Sequence, residues 1–342
     1  MARALEALLR GRGRRRTILL CGGALLLLVV AALCNLGAIG RAVREMGAYL
    51  EYRFIQRALI VGVPVALCAA LLGVILVLKR YSMIGDGLSH VGFGALTVAV
   101  SLSYVSAQSL PAVLPMGFRE GFAGLCASIA ASPLAFTLAV VVLCAVLLLR
   151  VSRNSRLQGD SAIALISTSA LAVGVIVTST TSGMNVDVYN YMFGSILAMS
   201  ESDVYLSLGL SAVVLTVFLA LYPRIFAVTF DESFARATGT NAGFYNLMIS
   251  VLTAVTIVVG MRIMGTMLIS SLIIFPALTS MRVFSRFRPV VISSAIVSVF
   301  CFFVGIMLSC LCSLPAGAGI VAVNLLMFLI FSLAGALKRS GI

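Results

Sequence analysis

Apolar runs long enough to cross a bilayer follow one another along almost the whole chain, and the polar sequence between them is too short to build anything else. A membrane helix needs about 20 apolar residues, because inside lipid only a helix or a closed barrel satisfies its own backbone. Ten runs meet that length, at 17–40, 57–78, 88–106, 131–149, 161–181, 203–222, 243–261, 264–281, 290–311 and 317–336. The expected fold is therefore all-α, a polytopic integral membrane protein of about ten transmembrane helices. Composition agrees, since 61% of the residues are hydrophobic and 10% charged, against about half and a quarter in soluble chains. The two runs that meet at Met261-Arg-Ile-Met264 also read as one broken helix.

Lysine and arginine set the orientation, because loops that stay in the cytoplasm carry the excess. With the N-terminus inside and ten alternating spans, 18 of the 24 basic residues fall inside, so both termini are expected in the cytoplasm. The net charge of +13 then reflects positive loops beside an anionic lipid leaflet, and no nucleic-acid partner is expected. Arg10, Arg12 and Arg14 to Arg16 precede the first run. At 24 residues that run is longer than the core of a secretion signal and reads as an uncleaved span. After it, Val43, Met46, Leu50 and Phe54 recur near one helical face within 41–56, which predicts an amphipathic helix on the outer surface.

Asp86 and His90 stand four residues apart between two apolar runs, and His90 is the only histidine in the chain. On a helix that spacing puts both side chains on one face, where a carboxylate and an imidazole can hold one cation. The pair suits zinc or a harder divalent metal such as manganese. An ionisable pair at the edge of an apolar run marks an ion or proton path. The same residues also fit a structural reading, with Asp86 capping the following helix and His90 lying at the headgroups.

Other candidates are weaker. The eight cysteines contain no C-x-x-C pair and read as small core hydrophobes. Met261, Met264 and Met267 recur at helical spacing and read as core before they read as soft-metal ligands. Lys79 and Lys338 are the only lysines, and neither lies in a phosphate-binding G-x-x-x-x-G-K-[ST] loop, so any ATP must be hydrolysed by a partner. The chain has no G-x-S-x-G nucleophile turn, and only Asp86 among its aspartates sits convincingly near a span interior; the chain reads as no enzyme.

Two polar segments remain. In Thr229-Phe-Asp-Glu-Ser-Phe-Ala-Arg-Ala-Thr-Gly239, Asp231 and Glu232 suit a helix N-terminus and Gly239 its C-terminal end. Phe230 and Phe234, four apart, would share one face of that helix, either docked in a groove of another protein or packed under the chain's own helices. Asp187 to Glu201 is too polar for a span and too apolar for a free loop, and reads as a partly inserted segment.

Taken together, Glu51-Tyr-x-Phe54-x-Gln56-Arg-Ala-Leu59, Val77-Leu-Lys-Arg-Tyr-Ser-Met-Ile-Gly-Asp-Gly-Leu-Ser-His90, Met192-Phe-Gly-Ser-Ile-Leu197, Phe230-Asp-Glu-x-Phe-Ala-x-Ala-x-Gly239 and the stretch from Gly260 to Pro276 resemble the permease subunit of zinc, manganese and iron ABC importers. The last stretch is most similar to members described as zinc permeases. The resemblance implies an ATP-driven importer of the bacterial inner membrane that carries a divalent metal inward by alternating access, with zinc expected and manganese or iron as the alternatives. It implies a second permease copy, identical or related, cytoplasmic ATPase subunits, and a metal-loaded binding protein outside. The metal is cargo, and no permanent cofactor is expected. Asp86 and His90 fall on the implied metal path, and Phe230, Asp231, Glu232, Phe234, Ala235 and Gly239 on the segment that docks on the ATPase. The permease domain would be 51–342, with 1–50 an extension holding an extra span. Val91-Gly-Phe-Gly-Ala95 departs from the Ala-x-x-Pro-Gly that follows the histidine in many members. A secondary or proton-coupled metal carrier without an ATPase is the reading from another class.

Overall fold

The structure is a computed structural model that describes residues 51–102, 116–154, 159–180, 201–312 and 314–340. Among these, all regular structure is helical: α1 (Arg53–Leu78), α2 (Ile84–Ser101), α3 (Met116–Ala131), α4 (Pro133–Asn154), α5 (Gly159–Thr180), α6 (Glu201–Ala220), α7 (Tyr222–Phe230), α8 (Glu232–Ala237), α9 (Ala242–Met264), α10 (Thr266–Val283), α11 (Phe287–Cys312) and α12 (Ala316–Ser340). The first expected span, 17–40, lies outside the described residues, as does the segment from Asp187 up to residue 200, whereas Glu201 opens α6. Each of the other nine expected spans meets a helix. Seven helices among the described residues are long and apolar enough to cross a membrane, and α3 with α4 makes an eighth if that bent pair is one span. α2 is not among them, because Asp86, Ser89, His90 and Thr97 dilute its apolar surface, and it is protein that covers most of that surface.

Two boundaries differ from the sequence reading. Of the outer-surface helix expected over 41–56, residues 41–50 lie outside the described residues, and Arg53 to Gln56 belong instead to the first turn of α1. Ile55, Ala58, Val61 and Val65 are all buried, so the core-facing stripe of α1 reaches back to Ile55. Met264 and Thr266 belong to separate helices. Gly265 between them has φ +85°, a left-handed conformation that costs glycine little, and it ends α9.

The chain divides into two compact units. The first joins the N-terminal part, through Val74, to residues from Ser271 onward, and the second runs from Ile75 to Ser270. In the first unit α1 and α11 run antiparallel. Ser298 Oγ donates to the Ala66 carbonyl at 2.9 Å and Ser294 Oγ to that of Ala70 at 3.4 Å, while the Phe302 ring fills the space a side chain at Gly62 would need. Small residues let the backbones approach closely where lipid provides no hydrophobic drive. In the second unit α2 is central, packed against α4, α5 and α9. A Cβ on Gly94 would lie 2.5 Å from the Ala170 carbonyl oxygen, and one on Gly174 would meet the Phe93 ring at 2.7 Å. The α2–α5 seam therefore closes only over glycine.

Candidate metal site and coupling segment

α2 begins four residues earlier than the apolar run, so Asp86 and His90 lie inside one helix, as the spacing argument requires. The N-cap position is Met83, with no side-chain capping bond, and Asp86 sits in the first turn. The capping role considered for Asp86 is therefore absent, although its charge is favoured at a helix N-terminus by the aligned peptide dipoles. Asp86 Oδ2 and His90 Nε2 are 3.6 Å apart, too far for a good hydrogen bond and close enough to share a cation. Every other residue from Ile84 to Thr97 is buried, whereas the Asp86 and His90 side chains keep 49% and 21% exposure. The helix thus presents one polar, accessible face, and that face consists of this pair. Among the described residues no group of three or more His, Cys, Asp or Glu gathers around a common point. Beside the pair, the buried Ser89 donates to the Gly85 carbonyl at 2.6 Å, and its hydroxyl lies 3.3 Å from that of Ser270 on α10.

The methionine stripe does not survive as a set. Met261 and Met264 are core residues, the break at Gly265 turns the chain, and Met267 on the next helix is half exposed. The six described cysteines are free, and Cys68, Cys126 and Cys301 are buried as core residues. Cys21 and Cys34 lie outside the described residues.

The predicted docking helix is in fact two. α7 ends at Phe230, Asp231 is extended (φ −144°, ψ 94°), and α8 starts at Glu232. Asp231 caps α8, accepting a hydrogen bond from Phe234 N at 2.9 Å. At the other end Thr240 N donates to the Ala235 carbonyl and Gly239 N to that of Arg236, with Gly239 at φ +83°, the paired bonds of a Schellman C-cap. Phe230 and Phe234 therefore do not share a helix face, since the cap interrupts the helix between them. Both are nevertheless exposed, at 57% and 64%, and Phe230 packs on Phe226 with ring centres 4.9 Å apart. Ala235 is fully buried in a cluster with Val228, Ala242 and Tyr245. α8 packs on the chain through Ala235 and leaves Phe234 exposed on its other side.

Glu232 turns inward. Its carboxylate accepts from Asn246 Nδ2 on α9 at 3.2 Å and from Arg236, and the Asn246 carbonyl oxygen accepts from Lys79 Nζ. Glu232, Asn246 and Lys79, with Leu76, Tyr81 and Phe230 among others, line a cavity of about 300 Å³. Sequence reasoning did not single out Asn246 or Lys79. An amide within an apolar run, and one of only two lysines, were the signals available.

Residues 51–335 match the family described as the ABC 3 transport family. The chain belongs to the ABC 3 transport family. As a member it is a permease of the metal ABC importers and a multi-pass membrane protein. It is similar to the manganese transport system membrane protein MntC of Halalkalibacterium halodurans, 26% identical over 82% of this chain and 86% of that one. It is similar also to the manganese import system permease protein ScaB of Streptococcus gordonii, 26% identical over 82% of this chain and 91% of that one. Its fold resembles a chain in the structure of PsaBC from Streptococcus pneumoniae in complex with Fab, with a TM-score of 0.66 and 24% identity over 86% of this chain and 95% of that one.

Proposed function

We propose that this permease carries a divalent first-row transition metal into the cytoplasm, with Asp86 and His90 as ligands along the path. The observation that carries the proposal is the pair's isolation: an otherwise buried helix face opens only at one carboxylate and one imidazole four residues apart. The carboxylate offsets the cation's charge and the neutral imidazole supplies a nitrogen donor. Two protein ligands leave coordination positions to water, and a cargo must be held weakly enough to leave. Alternating access is driven by ATPase subunits docked in the cytoplasm on α7 and α8, through Phe230 and Phe234. A binding protein delivers the metal from outside, and a second permease copy completes the pathway.

Zinc, manganese and iron are the cargo readings. The stretch from Gly260 to Pro276 supports zinc, and the similarity to the manganese permeases MntC and ScaB supports manganese. One carboxylate and one imidazole accept all three ions, so the donor set does not choose. The test is elemental analysis of the complex purified with its binding protein, followed by uptake into vesicles. Copurified zinc, manganese or iron, with ATP-dependent uptake of the same ion, is the expected result. Uptake independent of ATP, or transport of no divalent first-row transition metal, overturns the proposal.

A further inference from the structure

We propose that Asn246 is a positioning residue that ties the docking helix to the turn from which the metal-binding helix starts. The inference rests on the docking role given to α8 above. The Asn246 amide is engaged at both ends by oppositely charged groups, with its oxygen accepting from Lys79 and its nitrogen donating to Glu232 at 3.2 Å. Asn246 itself is 8% exposed and both contacts are part-buried, and hydrogen bonds to charged groups are the stronger kind.

The residues at either end of this chain of contacts give it direction. Glu232 is the first residue of α8, bonded also to Arg236 one turn on, so it moves as part of the docking helix. Lys79 closes the C-terminal end of α1. Tyr81 N donates to the Leu76 carbonyl and Arg80 N to that of Val77, with Arg80 left-handed at φ +63°. These bonds define the turn that delivers Met83, the N-cap of α2. Asp86 follows three residues later and His90 four after that. The cavity beside the relay borders both the docking helices and this turn, so apolar packing between them is incomplete. A displacement of α8 therefore reaches the start of α2 through Glu232, Asn246 and Lys79. Glu232, expected from sequence to face the ATPase, is on this reading the inner end of the tether.

The experiment uses the full complex in proteoliposomes, with manganese(II) or zinc delivered by the binding protein, and measures metal ions moved per ATP hydrolysed. Asn246→Leu removes both bonds at similar volume. Asn246→Asp keeps an acceptor for Lys79 but sets a second carboxylate against Glu232, and adding Glu232→Gln restores a donor in the reverse sense. In both single variants ATPase association and hydrolysis should persist while the ratio falls roughly fivefold or more, the lower range of coupling between linked sites. The double variant should recover most of the ratio. A wild-type ratio in Asn246→Asp, or a double variant no better than that single, overturns the inference. A wild-type complex that moves no metal instead overturns the underlying transport reading, and this inference with it.

Discussion

Asp86 and His90 stood out in the sequence because polar residues are conspicuous in an apolar chain, and the structure adds that every other residue from Ile84 to Thr97 is buried while these two are not. His90→Ala is expected to abolish metal uptake while the ATPase still copurifies, since it removes the only imidazole and leaves the docking segment intact. Asp86→Asn should do the same, because it keeps shape and loses the charge that offsets a divalent cation. Uptake assays paired with pull-down of the ATPase check both, and wild-type uptake by either would remove that residue from the path. Gly94 makes a different point. In an exposed helix interior, glycine to alanine gains up to about 1 kcal/mol. Here the added carbon would meet a backbone carbonyl at 2.5 Å, so Gly94→Ala should instead destabilise by about 1–3 kcal/mol. Gly121→Ala, with nothing within 4 Å, is the control. Thermal unfolding in detergent distinguishes the signs. No composition or spacing argument separates these two glycines, because the difference is who stands opposite.

Among the elements, the segment from Phe230 to Gly239 shows how far local sequence reaches. Asp231 and Gly239 were recognisable as end signals, and both close α8, yet reading one helix across Phe230 and Phe234 overlooked that the same aspartate must end α7 before it can start α8. Periodicity cannot see a cap that serves two helices. Asp231→Ala should cost about 1 kcal/mol of local stability, the usual worth of an N-cap. It should be detectable as faster hydrogen exchange across Glu232–Ala237. Phe234→Ala should weaken ATPase binding by about 2 kcal/mol, the scale of an aromatic anchor in an interface. Titration of the purified ATPase against reconstituted permease measures it, and unchanged affinity would relocate the docking surface. The core reading of the methionine stripe holds for Met261 and Met264 and stops at Met267, because helical spacing has meaning only within one helix and Gly265 ends it.

For the whole molecule, hydropathy alone placed nine helices correctly and in order, because satisfying the backbone in lipid leaves so few alternatives. It could not reveal the partition into two units, which depends on contacts distant in sequence. The orientation inferred from basic residues predicts a reporter fused after the C-terminus to be active only in the cytoplasm, and an extracytoplasmic signal there would invert the scheme. The partition also has a consequence for the order of synthesis. The second unit is one continuous stretch, from Ile75 to Ser270. The first is split between the two ends of the chain, and α1 must wait for Ser294, Ser298 and Phe302 before the Ala70 and Ala66 carbonyls and Gly62 meet their partners. During translation the continuous unit can be complete while α1 still lacks these partners, until the ribosome has nearly finished.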